Sequence, residues 1–240
     1  MKIFFSMIFV IIVLTTACCK DDKSEFDRNQ ITMTTQQSVV TLQIAGPGPI
    51  AIHWGDSNIE KDTIRDFGFD GRKIYRHTYS GTSAHTITVT GKNIDHLVCS
   101  GNGLTTLDVS RYPVLLLVLC QNNHLKNLDV SNNYALEYLG CSNNELTELD
   151  VSRNPELWGL YCYKNQLTKL NLSGNSKLRA LVCENNSFTS EALNTMFETL
   201  HNNKIIDKFV YIGGNPGTNN CDISIADNKG WIVNMNITIP

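Results

Sequence analysis

The chain has 240 residues, of which 42% are hydrophobic and 18% are charged, and this balance is typical of a globular protein. Its formal net charge at pH 7 is -3 and its isoelectric point is about 6.1. Nucleic-acid-binding proteins need a basic surface, so we predict no nucleic-acid partner.

Residues 1–17 have the pattern of an export signal. Lys2 supplies a positive charge, and residues 3–14 form an apolar run that only Ser6 interrupts. A transmembrane helix needs about 20 apolar residues, so the run is too short for the alternative, a membrane-spanning anchor. We therefore predict a signal peptide over residues 1–17.

The residues that follow resemble a bacterial lipobox, in which a cysteine is acylated and becomes the N-terminus. The matching segment is Leu14-Thr15-Thr16-Ala17-Cys18, with Thr15 where the family usually has an aliphatic residue. Cys19 is a second possible acceptor, but the small Ala17 directly before the cut favours Cys18. The resemblance implies lipidation of Cys18 and attachment to a membrane through the lipid alone.

Residues 18–30 are predicted to form a flexible tether. Within them, Lys20-Asp21-Asp22-Lys23-Ser24-Glu25 resembles the acidic export tag of Bacteroidota surface lipoproteins. This resemblance implies an outer-membrane lipoprotein that is exposed at the cell surface.

Residues 31–91 have the pattern of a β-sandwich. Alternating apolar runs at residues 39–44, 50–54 and 85–90 are separated by turn residues. Such runs predict a small all-β, immunoglobulin-like sandwich. Trp54-Gly55-Asp56 and His77-Thr78-Tyr79 resemble the two landmarks of polycystic-kidney-disease-type (PKD-like) domains, and the resemblance assigns Trp54 and Tyr79 to packing.

Two features of this region raise other possibilities. His53, Asp56, His77 and His85 are candidate metal ligands, but their spacing matches no metal-binding motif, so we predict no metal site and no cofactor. Asp62-Thr63-Ile64 resembles the O-glycosylation motif of exported Bacteroidota proteins, which implies a glycan on Thr63.

Residues 92–216 contain a repeat with a period of 21 residues. Similar segments begin at Leu104, Leu125, Leu146 and Leu167, and each leads to a cysteine. The unit Leu136-x-x-Leu139-x-Cys141-x-x-Asn144-x-Leu146 is the leucine-rich-repeat signature with cysteine at its third leucine. The period therefore predicts a leucine-rich-repeat solenoid whose short parallel strands line a concave face.

Two columns of residues recur in register within the repeats. The cysteines are Cys99, Cys120, Cys141, Cys162 and Cys183, and the asparagines are Asn102, Asn123, Asn144, Asn165, Asn186 and Asn215. The Cβ atoms of residues paired on neighbouring strands are nearly 5 Å apart, which is too far for a disulfide. Cysteines in a straight column also cannot surround a zinc ion, which needs ligands that converge on it. We therefore expect buried, unpaired cysteines, and asparagines that bond the backbone of the turn.

The chain after the repeats is predicted to form a C-terminal cap. Residues 190–200 have apolar side chains at helical spacing, with Ser187 or Ser190 as the N-cap. Residues 209–215 repeat the strand-and-asparagine pattern once more. Alternating apolar residues from Trp231 onward predict a strand, so residues 217–240 are assigned to the cap.

The solenoid resembles internalin-like and related bacterial surface leucine-rich-repeat proteins over about residues 94–235. The resemblance implies a curved binding scaffold with a protein or glycan ligand. It implies no particular ligand, because such proteins share the scaffold and vary the residues of the concave face.

The candidate binding residues flank the inward-facing pair of each strand. An idle exposed strand face is polar, whereas this one carries tyrosines and aliphatic side chains. The ligand-binding candidates are Leu117, Leu119, Tyr138, Tyr161, Tyr163, Val182 and Tyr211. Ser142 and Glu184 are expected to face outward beside them. An alternative is that the N-terminal domain or self-association covers part of this face.

Three functions follow as hypotheses. The first is a lipid-anchored surface protein that uses its concave face for protein interaction or adhesion. The second is a glycan-binding lipoprotein of a polysaccharide uptake system, in which the tyrosines stack on sugar rings. The third is an enzyme, which we do not predict, because the sequence has no Gly-x-Ser-x-Gly, His-Glu-x-x-His or phosphate-loop motif.

Overall fold

The computed structural model describes residues 29–65 and 71–236. The signal peptide, the lipidation candidate Cys18 and the tether as far as residue 28 lie outside this part of the chain. Within the described residues, no helix is both long enough and apolar enough to cross a membrane.

Six strands form the N-terminal region. They are β1 (Gln30–Thr35), β2 (Val39–Ala45), β3 (Gly48–His53), β4 (Ile59–Ile64), β5 (Lys73–Thr78) and β6 (His85–Gly91). One antiparallel sheet has the order β4-β3-β6-β1, and β2 pairs with β5 in a second sheet. Ile31, Met33, Ile87 and Val89 alternate along β1 and β6 and are fully buried, and they belong to a hydrophobic core that continues into the repeats.

The sequence analysis identified only three of these six strands. The predicted runs correspond to β2, β3 and β6, whereas β1, β4 and β5 were not assigned. Strand β4 lies at the edge of its sheet, and most of its side chains are exposed. Because edge strands need not bury alternate residues, their sequences do not show the alternation that identifies an inner strand.

The repeats form a leucine-rich-repeat solenoid, as the 21-residue period predicts. Its parallel strands are β7 (His96–Val98), β9 (Leu117–Leu119), β10 (Tyr138–Gly140), β11 (Gly159–Tyr161), β12 (Ala180–Val182), β13 (Lys208–Tyr211) and β14 (Trp231–Asn234). The inward residues of adjacent strands pair directly, as Val118, Leu139 and Leu160 do, and all three are fully buried. Each short strand thus contributes one leucine-like side chain to a continuous core.

The cysteine column lies inside the same core, which confirms its predicted burial. All five cysteines of the column are fully buried, and all are free thiols. Burial raises the pKa of the Cys120 thiol to about 12, and the pKa of Cys141 and Cys162 is also raised well above the usual value. The column therefore behaves as a stack of small apolar side chains.

The asparagine column bonds the backbone of the turns, as predicted. Asn144 Nδ2 donates to the carbonyl oxygens of Cys120 and Cys141, each at 3.0 Å, and Asn144 Oδ1 accepts from the N–H of Leu125 at 3.0 Å. Asn165 makes the equivalent three bonds one repeat further along. Each asparagine therefore joins its own repeat to the preceding one.

The two sheets continue across the predicted boundary at residues 91 and 92. β7 pairs antiparallel with β2, so the parallel sheet of the solenoid continues into β2 and β5. β8 (Leu104–Asp108), on the back of the first repeat, pairs antiparallel with β1. The two parts are consecutive in the chain but form one hydrogen-bonded unit.

Two short helices accompany the last two strands. α1 (Ser190–Thr199) is capped by Thr189, whose hydroxyl accepts from the Ala192 N–H, so neither serine that the sequence suggested is the cap. α2 (Ser224–Asp227) precedes β14. Lys229 Nζ donates to the carbonyl oxygens of Glu198 and Leu200 at the end of α1. β14 ends at Asn234, so the predicted alternation beyond it is not observed up to residue 236, and residues 237–240 lie outside the described part.

The buried thiols should be unreactive in the folded protein. A thiol reagent at pH 8 should label Cys120, Cys141 and Cys162 only after unfolding, because the reactive thiolate is disfavoured by burial. Mass spectrometry of the labelled peptides resolves each cysteine, and partly exposed Cys221 serves as the control that reacts first. Rapid labelling of the column in native protein would contradict the burial.

The raised thiol pKa values also predict a loss of stability in alkali. The folded pKa of Cys120 lies above the usual value of 9.0, so the unfolded chain loses this proton first. The resulting stabilisation is fully present below about pH 9 and is lost as the pH rises from there towards 12. Guanidinium unfolding at several pH values measures this change in the free energy of unfolding. The Cys141→Ala variant should show a weaker dependence of that free energy on pH.

Candidate functional site

The outward side of the parallel sheet, from β7 to β14, is here called the strand face. Two rows of side chains point outward from it. One row contains His96, Leu117, Tyr138, Gly159, Ala180, Phe209 and Ile232, and the other contains Val98, Leu119, Gly140, Tyr161, Val182, Tyr211 and Asn234. Neither row contains an aspartate, glutamate, lysine or arginine.

Five of the seven candidate binding residues are accessible on this face. Leu119, Tyr138, Tyr161, Tyr163 and Tyr211 are all partly exposed. Tyr163 follows Cys162 and continues the outward alternation of β11. The structure therefore brings the three tyrosines of residues 138–163 onto two adjacent strands, as the repeat register predicted.

Leu117 and Val182 were wrongly predicted to be accessible. Their exposed fractions are only 9% and 4%. Val182 stands in register between Tyr161 and Tyr211, which are longer side chains on both neighbouring strands. Leu117 stands likewise between His96 and Tyr138. An outward-facing residue is shielded when its neighbours across the sheet project further than it does.

Ser142 and Glu184 are also buried, contrary to expectation. Ser142 Oγ donates to the carbonyl oxygen of Tyr161 at 3.0 Å, so its hydroxyl is hydrogen-bonded to the backbone of the adjacent strand. The carbonyl oxygen of Glu184 accepts from the Lys164 N–H at 2.9 Å. These two positions belong to the structure of the sheet rather than to its accessible surface.

Three aromatic side chains, Tyr138, Trp158 and Tyr161, form a cluster that we call the aromatic platform. The ring centroids of Tyr138 and Tyr161 lie 5.1 Å apart with their planes at 25°, a stacked arrangement. Trp158 meets Tyr138 edge-on, with 5.1 Å between centroids. Aromatic pairs of this kind stabilise their own positions by about 0.5–1.5 kcal/mol each.

Trp158 was not among the sequence candidates. It lies just before β11, where the other repeats have Leu116, Glu137 and Arg179, so strand alternation does not mark it as outward. The sequence does contain one signal for Trp158, which is that a tryptophan occupies a position that varies between otherwise regular repeats. Arg179 lies over its ring, with 4.9 Å between the guanidinium carbon and the ring centroid.

Two glycines leave space on the strand face that neighbouring side chains occupy. A Cβ atom at Gly159 would be 2.7 Å from Tyr138 Cδ2, so the Tyr138 ring occupies the space above this glycine. A Cβ atom at Gly140 would be 2.4 Å from Gln121 Nε2, so the Gln121 amide occupies the space above that one. Any larger residue at either position would displace these groups.

The sandwich contains a separate aromatic cluster around Trp54 and Tyr79. Trp54 stacks on His77 with 4.8 Å between ring centroids, and the Tyr79 hydroxyl donates to the Trp54 carbonyl oxygen at 2.6 Å. Trp54 and Tyr79 are buried, which confirms their predicted packing role. Asp56 accepts a hydrogen bond from His77 at 2.7 Å, and this bond lowers the pKa of its carboxyl group.

Three of the four candidate metal ligands of the sandwich make other side-chain contacts. His77 pairs with Asp56, whereas His85 stacks on Tyr79 at 3.8 Å between centroids. Over residues 29–65 and 71–236, no three His, Cys, Asp or Glu side chains are grouped in a way that could hold a metal ion. Thr63, the candidate glycosylation site, is exposed on edge strand β4, where a glycan would meet no obstruction from the strand itself.

A cavity of about 730 Å³ lies away from the strand face, between α1 and the back of two repeats. Its floor includes Leu149 and Leu170, and its walls carry Asp150 and Glu191. Glu148 at the rim pairs with Lys169 at 3.4 Å, and both side chains are about three-quarters exposed. Exposed ion pairs of this kind contribute little to stability or to recognition.

No family model matches the chain, and neither does any curated protein. Among solved structures, the chain is similar to the functional domain of InlJ from Listeria monocytogenes, which includes a cysteine ladder. The two share 32% sequence identity over 55% of this chain and 32% of that chain, with a TM-score of 0.40. An internalin, inlF, from the same organism is 22% identical over 45% of this chain and 32% of that one, with a TM-score of 0.37. The chain spans about a third of the length of either structure.

Truncation of two neighbouring residues of β11 should lower the free energy of unfolding by different amounts. Leu160→Ala should lower the free energy of unfolding by about 2–5 kcal/mol, because it leaves a cavity in the core. Tyr161→Ala should cost less than about 1.5 kcal/mol, because it removes one aromatic pair from a partly exposed surface. Guanidinium unfolding of both variants tests this, and an equal loss in the two would show that Tyr161 belongs to the core.

Proposed function

We propose that this protein is a lipid-anchored binding protein of a bacterial cell surface, and that its strand face is the ligand-binding surface. The observation that supports this most directly is the aromatic platform on a face without charged residues in its two outward rows. Tyrosine and tryptophan bury much area for few rotatable bonds, and they are enriched at binding hot spots.

The proposal is a binding role rather than catalysis. The recurrent polar residues of the repeats already have structural partners. Asn144 bonds the turn backbone, and Asp129 and Asp150 accept from the N–H groups of Ser131 and Ser152 two residues further on. Bonds to these serines lower the pKa of both aspartates, so the carboxylates remain ionised in their turns.

The proposed anchor would hold the molecule by its sandwich end. Cys18 precedes the first described residue, Asn29, by 11 residues, which span at most about 40 Å when fully extended. A chain acylated at Cys18 would therefore keep β1 within about 40 Å of the outer membrane. The lipobox-like residues 14–18 support the anchor, and the acidic stretch 20–25 supports exposure at the cell surface.

The anchor is tested by substitution of the acceptor. Cys18→Ala should yield an unprocessed or soluble form, whereas Cys19→Ala should be processed and partition with membranes as the unaltered protein does. Metabolic labelling with a palmitate analogue and membrane fractionation measure the two properties. Normal labelling of the Cys18→Ala variant would contradict the assignment. Protease treatment of intact cells separately tests surface exposure.

The binding surface is tested by removal of its tyrosines. A variant with Tyr138, Tyr161 and Tyr163 changed to Ala should lose at least tenfold in affinity for any ligand of this face, whether that ligand is a protein or a glycan. Tyr134→Ala is the matched control, because Tyr134 is 49% exposed on a turn between repeats, and its hydroxyl bonds Asn132. Pull-down from host or community extracts and a glycan array provide the ligands.

Retention of a ligand by the folded triple variant would place the site elsewhere on the molecule. Circular dichroism and the midpoint of thermal unfolding establish whether the variant is folded. Equal losses in the triple variant and in Tyr134→Ala would also count against the strand face.

A further inference from the structure

The edge of the aromatic platform is lined by a fixed side-chain amide. Ser100 Oγ donates to Gln121 Oε1 at 2.7 Å, and Gln121 Nε2 lies over Gly140 on the next strand. Gly140 is in register with Tyr161, so the amide lies beside the platform. Because the carbonyl end of Gln121 is held by Ser100, its NH₂ group is presented as a donor at a defined position.

The tyrosines add neutral hydroxyl groups to the same place. The rings of Tyr138 and Tyr161 are stacked, and both Tyr161 and Tyr163 are near enough to affect the Tyr138 hydroxyl electrostatically. Burial is the main cause that raises the pKa of Tyr138 above its usual value, with the Tyr161 contact adding to it. The raised pKa keeps the Tyr138 hydroxyl protonated, so this hydroxyl acts as both donor and acceptor.

Charged residues flank the two outward rows, and one of them, Arg179, lies over the ring of Trp158. The two outward rows of the strand face contain none, and the exposed Glu137 and Arg179 lie on either side of Trp158, before the strands begin. A partner recognised through charge would need opposite charges within the contact, as protein interfaces commonly provide. Flat rings, a fixed amide and neutral hydroxyls instead match a ligand that has apolar faces and many hydroxyl groups.

We propose that the aromatic platform and Gln121 bind a neutral saccharide, an inference that rests on the proposed binding role of the strand face. A pyranose ring has an apolar C–H face, which would lie against the Tyr138 and Tyr161 rings. Its hydroxyls would bond the Gln121 NH₂ group and the tyrosine hydroxyls. Gln121 follows β9, and Tyr138 and Tyr161 lie on the next two strands, so the surface is about 10 Å across the sheet and fits a short stretch of a glycan chain.

The two glycines make this surface preformed. The Tyr138 ring and the Gln121 amide already occupy the spaces above Gly159 and Gly140, so a saccharide would meet groups whose positions are fixed before it binds. Preorganisation of this kind reduces the entropy that binding must overcome. A Gly140→Val variant would displace Gln121 without removing any ring, and it therefore separates the contribution of the amide from that of the platform.

Native affinity electrophoresis provides the test. The full chain is run in gels that contain pullulan, arabinoxylan or galactomannan as neutral probes, and polygalacturonate as the acidic probe. At least one neutral polysaccharide should retard the protein. Tyr161→Ala and Gln121→Ala should each weaken that retardation at least tenfold, Gly140→Val should weaken it to a similar degree, and Tyr161→Phe should retain most of it. Tyr134→Ala should change nothing.

The outcomes distinguish this inference from the proposed function. Retardation by none of the neutral polysaccharides, or by polygalacturonate alone, would overturn the assignment to a neutral saccharide. An equal loss in Tyr134→Ala and Tyr161→Ala, with both variants folded, would also overturn it. A protein partner that binds through the same tyrosines, without any polysaccharide binding, would leave the strand face as the binding surface and overturn only the saccharide.

Discussion

The solenoid depends on how its buried turns satisfy their backbone groups. The strands are only about three residues long, so the chain must turn repeatedly inside the molecule, where water does not reach the peptide groups. An asparagine amide meets this need because it both donates and accepts. Asn144 bonds two carbonyl oxygens and one N–H across two repeats, which neither aspartate nor leucine could do. The constant spacing of these bonds sets the register of every strand and of the outward residues between them.

This constraint explains which parts of the structure the sequence reveals. Leu139, Cys141 and Asn144 were assigned correctly because each repeat places them in the same environment, and the period of 21 makes that environment visible. Exposure on the strand face is different, since it depends on the sizes of side chains one strand away. Leu117 and Val182 have the alternation of exposed residues, but larger neighbours at the same level of the sheet cover them.

Features that join distant segments were the hardest to predict. The pairing of β1 with β8 links residues 69 to 76 positions apart, and neither strand has a sequence signature for its partner. Trp158 was missed for a related reason, because its place in the platform is visible only when Tyr138, one repeat earlier, is seen to lie over Gly159. Periodicity locates such residues along the chain, but contacts across the sheet determine what they do.

The position of β1 has a mechanical consequence. It is the first described strand, and it pairs on one side with β6 of the sandwich and on the other with β8 of the first repeat. Tension that enters from the N-terminus while a ligand holds the solenoid would pull β1 along its own axis. The hydrogen bonds to both neighbours would then bear the load together in shear, rather than break one after another as in peeling. A surface protein that is tethered at this end would thus carry load through its most strongly paired strand.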